Sequence, residues 1–437
     1  MKLVGLSALS IAMLMATTSQ ANVFLDDSTL DINLKNYYKN NKVKNKDVNG
    51  TSKDYSRSQW AQAIGINFSS GYYYNLIGVD AAFYHSLKIR GDQDSTNGLL
   101  QTEDDGSVKG YGKTAYAVKI NLMDYGVAKY GRMFINTPLL NNTDSRALPS
   151  LTEGFYGDVH FDALSLYGII AIKENDIDQS GFDSYGYIDG NNNSEKRAVS
   201  IIGGNYDFGY GFSTNVAYGK QKDFSERYFA DANYSTAFNS IGLDFGLQYG
   251  RNSAHGKARD LLIAVGSSDT SQHAWGAKAQ AHVGAATVGV NYTAIQKTDI
   301  GDYAVEWLAI ETGGSAFKGD GSGYFGYNSS QYSDFNRNGQ KSWGINASYN
   351  FEGIVNGLNL YGVYVRGKAN PNSGYKWVEK EYNLGVSYHV PMIEGLSAHV
   401  LYARNSQEDQ GLNSANELAD EVNTDTRVIV QYNIAVF

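Results

Sequence analysis

Residues 111–134 read Tyr-Gly-Lys-Thr-Ala-Tyr-Ala-Val-Lys-Ile-Asn-Leu-Met-Asp-Tyr-Gly-Val-Ala-Lys-Tyr-Gly-Arg-Met-Phe, and this stretch decides the fold. Its first half alternates strictly between two kinds of side chain, which predicts a strand with one apolar and one polar face. The apolar face carries Tyr116, Val118, Ile120 and Leu122, and the polar face carries Lys119 and Asn121. Asp124-Tyr125-Gly126 then supplies a tight turn into a second strand over 126–134. The stretch therefore predicts a β-hairpin.

The same alternation recurs along the whole chain and gives eighteen candidate strands. They lie near 29–39, 58–70, 72–89, 111–123, 126–134, 153–160, 163–174, 197–207, 211–221, 227–237, 240–251, 272–283, 286–297, 341–351, 357–367, 379–390, 395–404 and 425–436. No composition shift or linker divides this series. It predicts one domain over 22–437.

The connections between these strands alternate in length. Short turns such as Ser70-Gly71 and Phe161-Asp162 alternate with long polar connections. The long ones are 40–57, 90–110, 135–152, 175–196, 222–226, 252–271, 298–340, 368–378 and 405–424. Outer-membrane barrels have short periplasmic turns and longer extracellular loops. The fold class predicted is all-β, a single 18-stranded antiparallel transmembrane β-barrel in the bacterial outer membrane.

Composition agrees with this fold and excludes several others. The 437 residues include 48 Gly and 34 Tyr but only 4 Pro and no Cys, so disulfide scaffolds and thiolate sites are excluded. The formal charge of −9 argues against a nucleic-acid partner. Residues 1–21, with Lys2, an apolar core and Ser19-Gln20-Ala21, predict a secretory signal peptide. Beyond them, no apolar run is long enough for a spanning helix.

Charged side chains within the strands indicate the lumen face, because Lys or Arg facing mid-bilayer lipid costs roughly 2–4 kcal/mol. By this test a lumenal basic ladder is predicted at Lys35, Lys119, Arg366 and Arg427. A barrel of ~18 strands is too wide for side chains to fill. Loop 135–152 breaks the strand pattern with Pro138, Pro149 and the apolar pair Leu139-Leu140. We expect it to fold into the lumen, together with 298–340, and to narrow the pore.

Six motifs follow one another along the chain: Phe24 to Leu30, Gly131-Arg132, Thr137 to Leu140, Asp144 to Pro149, Lys341-Ser342-Trp343 and Asp425 to Val430. Together they resemble the OprD-type substrate-specific porins, the outer-membrane carboxylate channels. The resemblance implies an eighteen-stranded barrel whose third and seventh loops fold inward, and a file of cations that guides carboxylates. Carried onto this chain, it implies a pore constriction at Arg132, Asp144, Ser145 and Arg146. For the second inward loop, Asp334 and Arg337 are our own candidates.

The predicted function is passive, substrate-selective diffusion of small carboxylates or amino acids, with no enzymatic activity, cofactor or metal. The alternative is an uptake porin for oligosaccharides of the chito-oligosaccharide kind, because tyrosines stack on sugar rings. Seven scattered histidines form no nucleophile or metal-ligand motif. The expected partners are small anionic or zwitterionic solutes, lipopolysaccharide, outer-membrane lipid and the barrel assembly machinery. The expected state is a monomer or a weak trimer. For every cation named above, an ordinary structural salt bridge remains the competing interpretation.

Overall fold

The structure is a computed structural model that describes residues 24–46, 52–91, 96–123, 125–188, 193–311, 316–321, 325–370, 375–411 and 420–437. The predicted signal peptide, residues 1–21, lies outside the described residues. Within those residues, no helix is both long and apolar enough to cross a membrane.

Eighteen antiparallel strands form one closed barrel, as the sequence predicts. In chain order they are β1 Thr29–Lys46, β2 Ser52–Ser69, β3 Ile77–Gly91, β4 Tyr111–Asn121, β5 Gly126–Met133, β6 Leu151–Phe161, β7 Leu164–Asn175, β8 Val199–Gly209, β9 Phe212–Gln221, β10 Ser225–Phe238, β11 Ile241–Ala254, β12 Ser271–Val283, β13 Ala286–Ile295, β14 Lys341–Asn350, β15 Leu358–Ala369, β16 Tyr375–His389, β17 Leu396–Gly411 and β18 Asp420–Ala435.

Closure comes from the pairing of the first strand with the last. β1 pairs with β18 from Asp31 opposite Ala435 to Lys46 opposite Asp420, and on its other side it pairs with β2. A closed sheet has no strand edge with unpaired backbone groups. The hydrocarbon interior of a membrane requires such closure because it offers those groups no hydrogen-bond partners. The fold prediction is confirmed.

The two faces of the wall also follow the alternation. Val118 and Ile120 are exposed on the outside of β4, whereas Lys119 and Asn121 are buried on the lumen side. On β3, Phe83 is exposed and faces outward, opposite Thr114 of β4. An apolar outside and a polar inside are what lipid and water, respectively, select.

Some strands extend beyond their predicted ends. β1 and β2 pair as far as Lys46 opposite Ser52, although alternation predicts strands only over 29–39 and 58–70. At this height Lys42 and Ser56 face outward as a cross-strand pair. The apolar half of the pattern disappears because this part of the hairpin no longer contacts hydrocarbon, while its backbone pairing continues.

Four long loops have residues that contact the inner wall of the barrel. Numbered among all the long loops in chain order, they are L2 (92–110), L3 (134–150), L4 (176–198) and L7 (296–340). Short strands stiffen them, including Asp183–Ile188 in L4, which pairs with Leu308–Ile310 of L7. Another loop carries a short helix, α1, Lys257–Ala264. The largest buried apolar cluster lies inside the barrel, where L3, L4 and L7 pack on the inner wall.

Candidate channel constriction

L3 turns into the lumen because its apolar residues are buried there. Asn136–Thr137 pairs with Leu140–Asn141 in a small hairpin. Leu139 and Leu140 are both fully buried and join the internal cluster with Ile169 and Ile201 of the wall. The two leucines break the polar composition expected of a loop, and here they act as its anchor to the barrel.

L7 packs on the same part of the wall through Trp307. This side chain is fully buried, and its Nε1 donates a hydrogen bond to the Leu139 carbonyl at 2.7 Å. The Arg227 guanidinium stacks 4.3 Å from the Trp307 ring centroid and donates to the Glu306 carbonyl. Gly219 makes room for the indole, because a Cβ there would lie 2.8 Å from Trp307 Cζ2. L3 and L7 therefore form one packed unit.

The tip of L3, Asp144 to Arg146, reaches across to β1. Lys35 Nζ lies 2.7 Å from Asp144 Oδ1 and 3.1 Å from the Arg146 carbonyl oxygen, to which it donates. The Tyr37 hydroxyl donates to the Ser145 carbonyl at 3.2 Å. Lys35 is buried, whereas the Asp144 side chain is 49% exposed. The tip is thus tied to the wall and still presents a carboxylate to the open lumen.

The Arg146 guanidinium is the least satisfied group at this tip. Among the described residues, Nη1 donates to the carbonyl and hydroxyl of the adjacent Ser145. Nε is buried without a hydrogen-bond partner among the described residues. Burial, and next the charge of Arg427, lower the pKa of Arg146. The hydrogen-bonding capacity of this guanidinium is therefore not exhausted by the described residues.

Comparison with known proteins identifies this architecture. The model of the family described as "outer membrane porin, OprD family" matches residues 22–436 of the chain. The chain belongs to the OprD family of outer-membrane porins. It is therefore an integral outer-membrane protein of a family whose members are passive channels for small molecules.

Individual members resemble the chain over nearly its full length. Porin D of Pseudomonas aeruginosa is 28% identical, with 96% of this chain and 93% of that protein covered. Porin-like protein GalP of Pseudomonas putida is 24% identical, with 95% and 94% covered. The solved structure of Pseudomonas aeruginosa OpdQ has a TM-score of 0.72 at 22% identity and covers 95% of this chain and 100% of its own. OpdK from the same organism, solved with vanillate, has a TM-score of 0.73 at 21% identity, with 94% and 100% covered.

Three of the four predicted ladder cations of this OprD-family chain lie on the lumen side, and each already has partners in the protein. Lys35 binds L3 as described above. Lys119 lies 3.0 Å from Asp80 and donates to Ser69. Arg427 forms an ion pair with Asp425 at 2.6 Å and donates to the Gln331 carbonyl of L7 at 3.0 Å.

The fourth, Arg366, faces outward, so its predicted direction is wrong. It lies directly opposite Trp343, which is exposed on the outside, while Val365 is buried on the lumen side. Alternation is misleading here because L7 packs against the inner face. A Cβ at Gly367 would lie 2.9 Å from Phe335 of that loop. At the long-loop end of β15 the apolar face is therefore the one toward the lumen. The outward face of this part of the strand lies beyond the hydrocarbon layer.

Arg132 also faces outward, although the motif placed it at the constriction. It lies opposite the outward-facing Tyr116 on one side and opposite Glu153 on the other. Its Nε lies 2.9 Å from Glu153 Oε2, and its guanidinium stacks 4.1 Å from the ring centroid of Phe182 in L4. Arg132 ties L4 to the wall, which is the structural alternative to a pore role.

Asp334 and Arg337 of L7 contact their own loop and β16 rather than the tip of L3. Asp334 accepts a hydrogen bond from Ser329 at 2.6 Å, and Arg337 stacks 3.6 Å above the ring centroid of Trp377. Burial raises the pKa of Asp334.

Several lumen cations escaped the sequence analysis, among them Lys39, Lys113 and Lys129. Lys39 donates to the Asn97 carbonyl of L2 at 2.6 Å, and Lys113 donates to the Pro149 carbonyl of L3 at 2.8 Å. Lys129 pairs with Asp80 at 2.6 Å. Lys39 has the same parity as Lys35, so the alternation that revealed one was sufficient to reveal the other.

Proposed function

We propose that this chain is a substrate-selective passive diffusion channel for small carboxylates or amino acids. The observation that carries the proposal is the tip of L3, where a half-exposed Asp144 carboxylate stands beside an Arg146 guanidinium whose Nε has no partner among the described residues. A guanidinium replaces the hydration of a carboxylate through planar two-point hydrogen bonds. Asp144 adds a site for the ammonium group of an amino acid.

Two further observations support the proposal. The wall beside the tip of L3 carries Lys35, Lys39 and Arg427. Lys35 and Arg427 pair with Asp144 and Asp425, whereas Lys39 donates to the Asn97 carbonyl, so an excess of cations remains here among the described residues. The related OpdK was solved with vanillate, which is a carboxylate. Transport requires that such a site bind weakly, and an affinity near ~1 mM, about −4 kcal/mol, still permits rapid release.

The test is the flux of matched anionic and neutral solutes through Arg146→Ala in liposome-swelling assays. The panel contains amino acids, aromatic acids, dicarboxylates and short sugars. Loss of one charged hydrogen-bonding site is expected to slow anion entry about tenfold, equivalent to ~1.4 kcal/mol, while sugar flux stays unchanged. Single-channel recording in planar bilayers verifies that the variant still forms an ohmic channel.

Arg366→Ala is the matched control, since it removes the same charge from the outside of the barrel. It is expected to leave both fluxes at the parent level. Equal loss of anion and sugar flux in Arg146→Ala, or no loss, contradicts the carboxylate proposal. Sugar flux above acid flux in the parent channel would favour the oligosaccharide alternative.

A further inference from the structure

Four cations crowd together on the outside of β14, β15 and β16. We call Lys341, Arg366, Lys368 and Lys380 the outer cation patch. Lys341 lies directly opposite Lys368, and Arg366 lies directly opposite Lys380. Like charges in directly opposed positions of an antiparallel pair destabilise a sheet. The patch therefore contains two unfavourable pairs side by side.

The part of the chain that the structure describes supplies little compensating negative charge. Lys380 Nζ lies 2.8 Å from Glu408 Oε1. Lys341, Arg366 and Lys368 form no ion pair with any residue that the structure describes, and Arg366 Nε is buried there without a hydrogen-bond partner. Arg404 of β17 adds another outward cation opposite Tyr382. Among the described residues, the patch therefore keeps an excess of positive charge.

The patch lies at the height of the lipid headgroups. Immediately below it, toward the periplasmic end, the outward rings of Trp343, Tyr364 and Tyr382 form a continuous row with centroid distances of 5.4 and 4.7 Å. Below this row, Ile345 and Leu384 are exposed as lipid-facing side chains. Aromatic belts mark the border between hydrocarbon and headgroups. Because the patch is at the end with the long loops, this border belongs to the outer leaflet.

We propose that the outer cation patch binds the phosphate groups of lipopolysaccharide, the phosphorylated glycolipid of the outer leaflet. Arg366 offers a planar fork for two phosphate oxygens, and the lysines contribute compact positive charges. A phosphate between the opposed pairs turns each repulsion into two attractions. The acyl chains of the same lipid then lie along the apolar surface below the aromatic row.

The opposite side of the barrel has outward cations of a different kind. Arg132 and Lys173 share the carboxylate of Glu153 at 2.9 and 2.8 Å. Lys220 lies 3.1 Å from Glu226. Each of these cations has a carboxylate partner within the protein, so the patch on β14 to β16, where three of the four cations lack one among the described residues, is where phosphate binding is expected to concentrate.

The experiment measures lipid retained on the folded protein by native mass spectrometry from detergent micelles. The probes are bisphosphorylated lipid A and the same lipid after removal of both phosphates. The double variant Arg366→Gln/Lys380→Gln is compared with Lys173→Gln/Lys220→Gln, which removes the same charge from the other side. Each cation near a membrane surface changes the affinity for an anionic lipid by about tenfold or less. We therefore expect the first variant to bind the bisphosphorylated lipid roughly 10- to 30-fold more weakly than the parent.

The control variant is expected to bind like the parent, and the dephosphorylated lipid is expected to bind all three proteins weakly and equally. Single-channel conductance equal to the parent value shows that each variant is folded, and it is independent of the solute selectivity proposed above. Equal loss in the two double variants would overturn the proposal. So would undiminished binding of the dephosphorylated lipid, because acyl-chain contacts would then suffice.

Discussion

Two parts of the lumen wall, a basic side and an apolar side, hold the inward loops by opposite chemistry. From β18 through β1 to β5 the wall presents cations, namely Arg427, Lys39, Lys35, Lys113, Lys119 and Lys129. From β7 to β9 it presents apolar side chains, namely Ile169, Ala171, Val199, Ile201 and Ala217. The apolar side resembles the interior of a soluble domain, and the basic side resembles a charged binding site.

The difference shows how a wide barrel narrows itself without being filled. On the apolar side, Trp307 and Leu139 are buried against the wall, and burial of such surface is favourable without directional contacts. On the basic side, Lys35, Lys39 and Lys113 donate to loop carbonyls. A buried ammonium needs such partners. The constriction is therefore held from both sides, and its cations serve the architecture as well as any solute.

The largest expected effect comes from removing the apolar anchor with Trp307→Ala. Truncation of a buried tryptophan costs about 3–5 kcal/mol. We expect L3 and L7 to lose their common packing, single-channel conductance to rise and the preference for carboxylates to fall. The measurements are conductance in planar bilayers and the thermal unfolding midpoint.

Trp343→Ala, which removes an outward tryptophan, serves as the control and is expected to leave conductance unchanged. Gly219→Val gives an independent test, because its side chain would collide with a Trp307 that is still present. Parent-level conductance in both Trp307→Ala and Gly219→Val would show that packing on the apolar side of the wall does not position the constriction.

A smaller effect is expected on the basic side from Lys35→Met. The substitution removes the contacts to Asp144 and to the Arg146 carbonyl, and it leaves Asp144 able to contact water. Hydrogen bonds to charged groups contribute about 1.5–3 kcal/mol. We expect the L3 tip to fluctuate, so that open-channel current noise increases while mean conductance changes less than in Trp307→Ala.

Lys119→Met is the matched control, because Lys119 is on the same wall but binds Ser69 and Asp80 of the barrel rather than a loop. Equal noise in the two variants would mean that current fluctuations follow lumen charge rather than the tie to L3.

Sequence alternation was sufficient for most of the barrel because each spanning strand contacts lipid on one face. It also placed Lys35, Lys119 and Arg427 on the correct side. It failed at Arg366, where the strand has left the hydrocarbon and L7 covers the inner face, so the usual relation between polarity and direction is reversed. The motif containing Arg132 gave its position in the chain but not the direction of its side chain.

The packing of the loops on the apolar side of the lumen was not predictable from the local sequence pattern. Trp307 meets Ile201 and Leu139 only after the barrel has closed and two loops have folded inward, and nothing in the spacing of these residues connects them. The one local signal was the Leu139-Leu140 pair, which indicated an inward loop but not the wall that receives it.

The smallest expected effect is a pH dependence of L7 on the apolar side. Burial, and next the Asp320 carboxylate, raise the pKa of Glu306 from 4.5 to about 7, while Arg227 opposes this shift. In that interval the packed loop holds a proton that an unpacked loop has released. The contribution of Glu306 to loop stability is therefore complete below pH 4.5 and is lost as pH rises through about 7.

Open-channel noise is accordingly expected to increase between about pH 5 and pH 8, and Glu306→Gln should abolish the increase because its amide does not ionise. Asp299→Asn is the control within the same loop. Hydrogen bonds from Ser267 and Ser268 lower the pKa of Asp299 to about 2, so it stays ionised throughout that interval and its replacement should leave the pH dependence intact. A pH dependence that survives in Glu306→Gln would assign the effect to another group and would mean that titration of Glu306 does not control the packing of L7 on the apolar side.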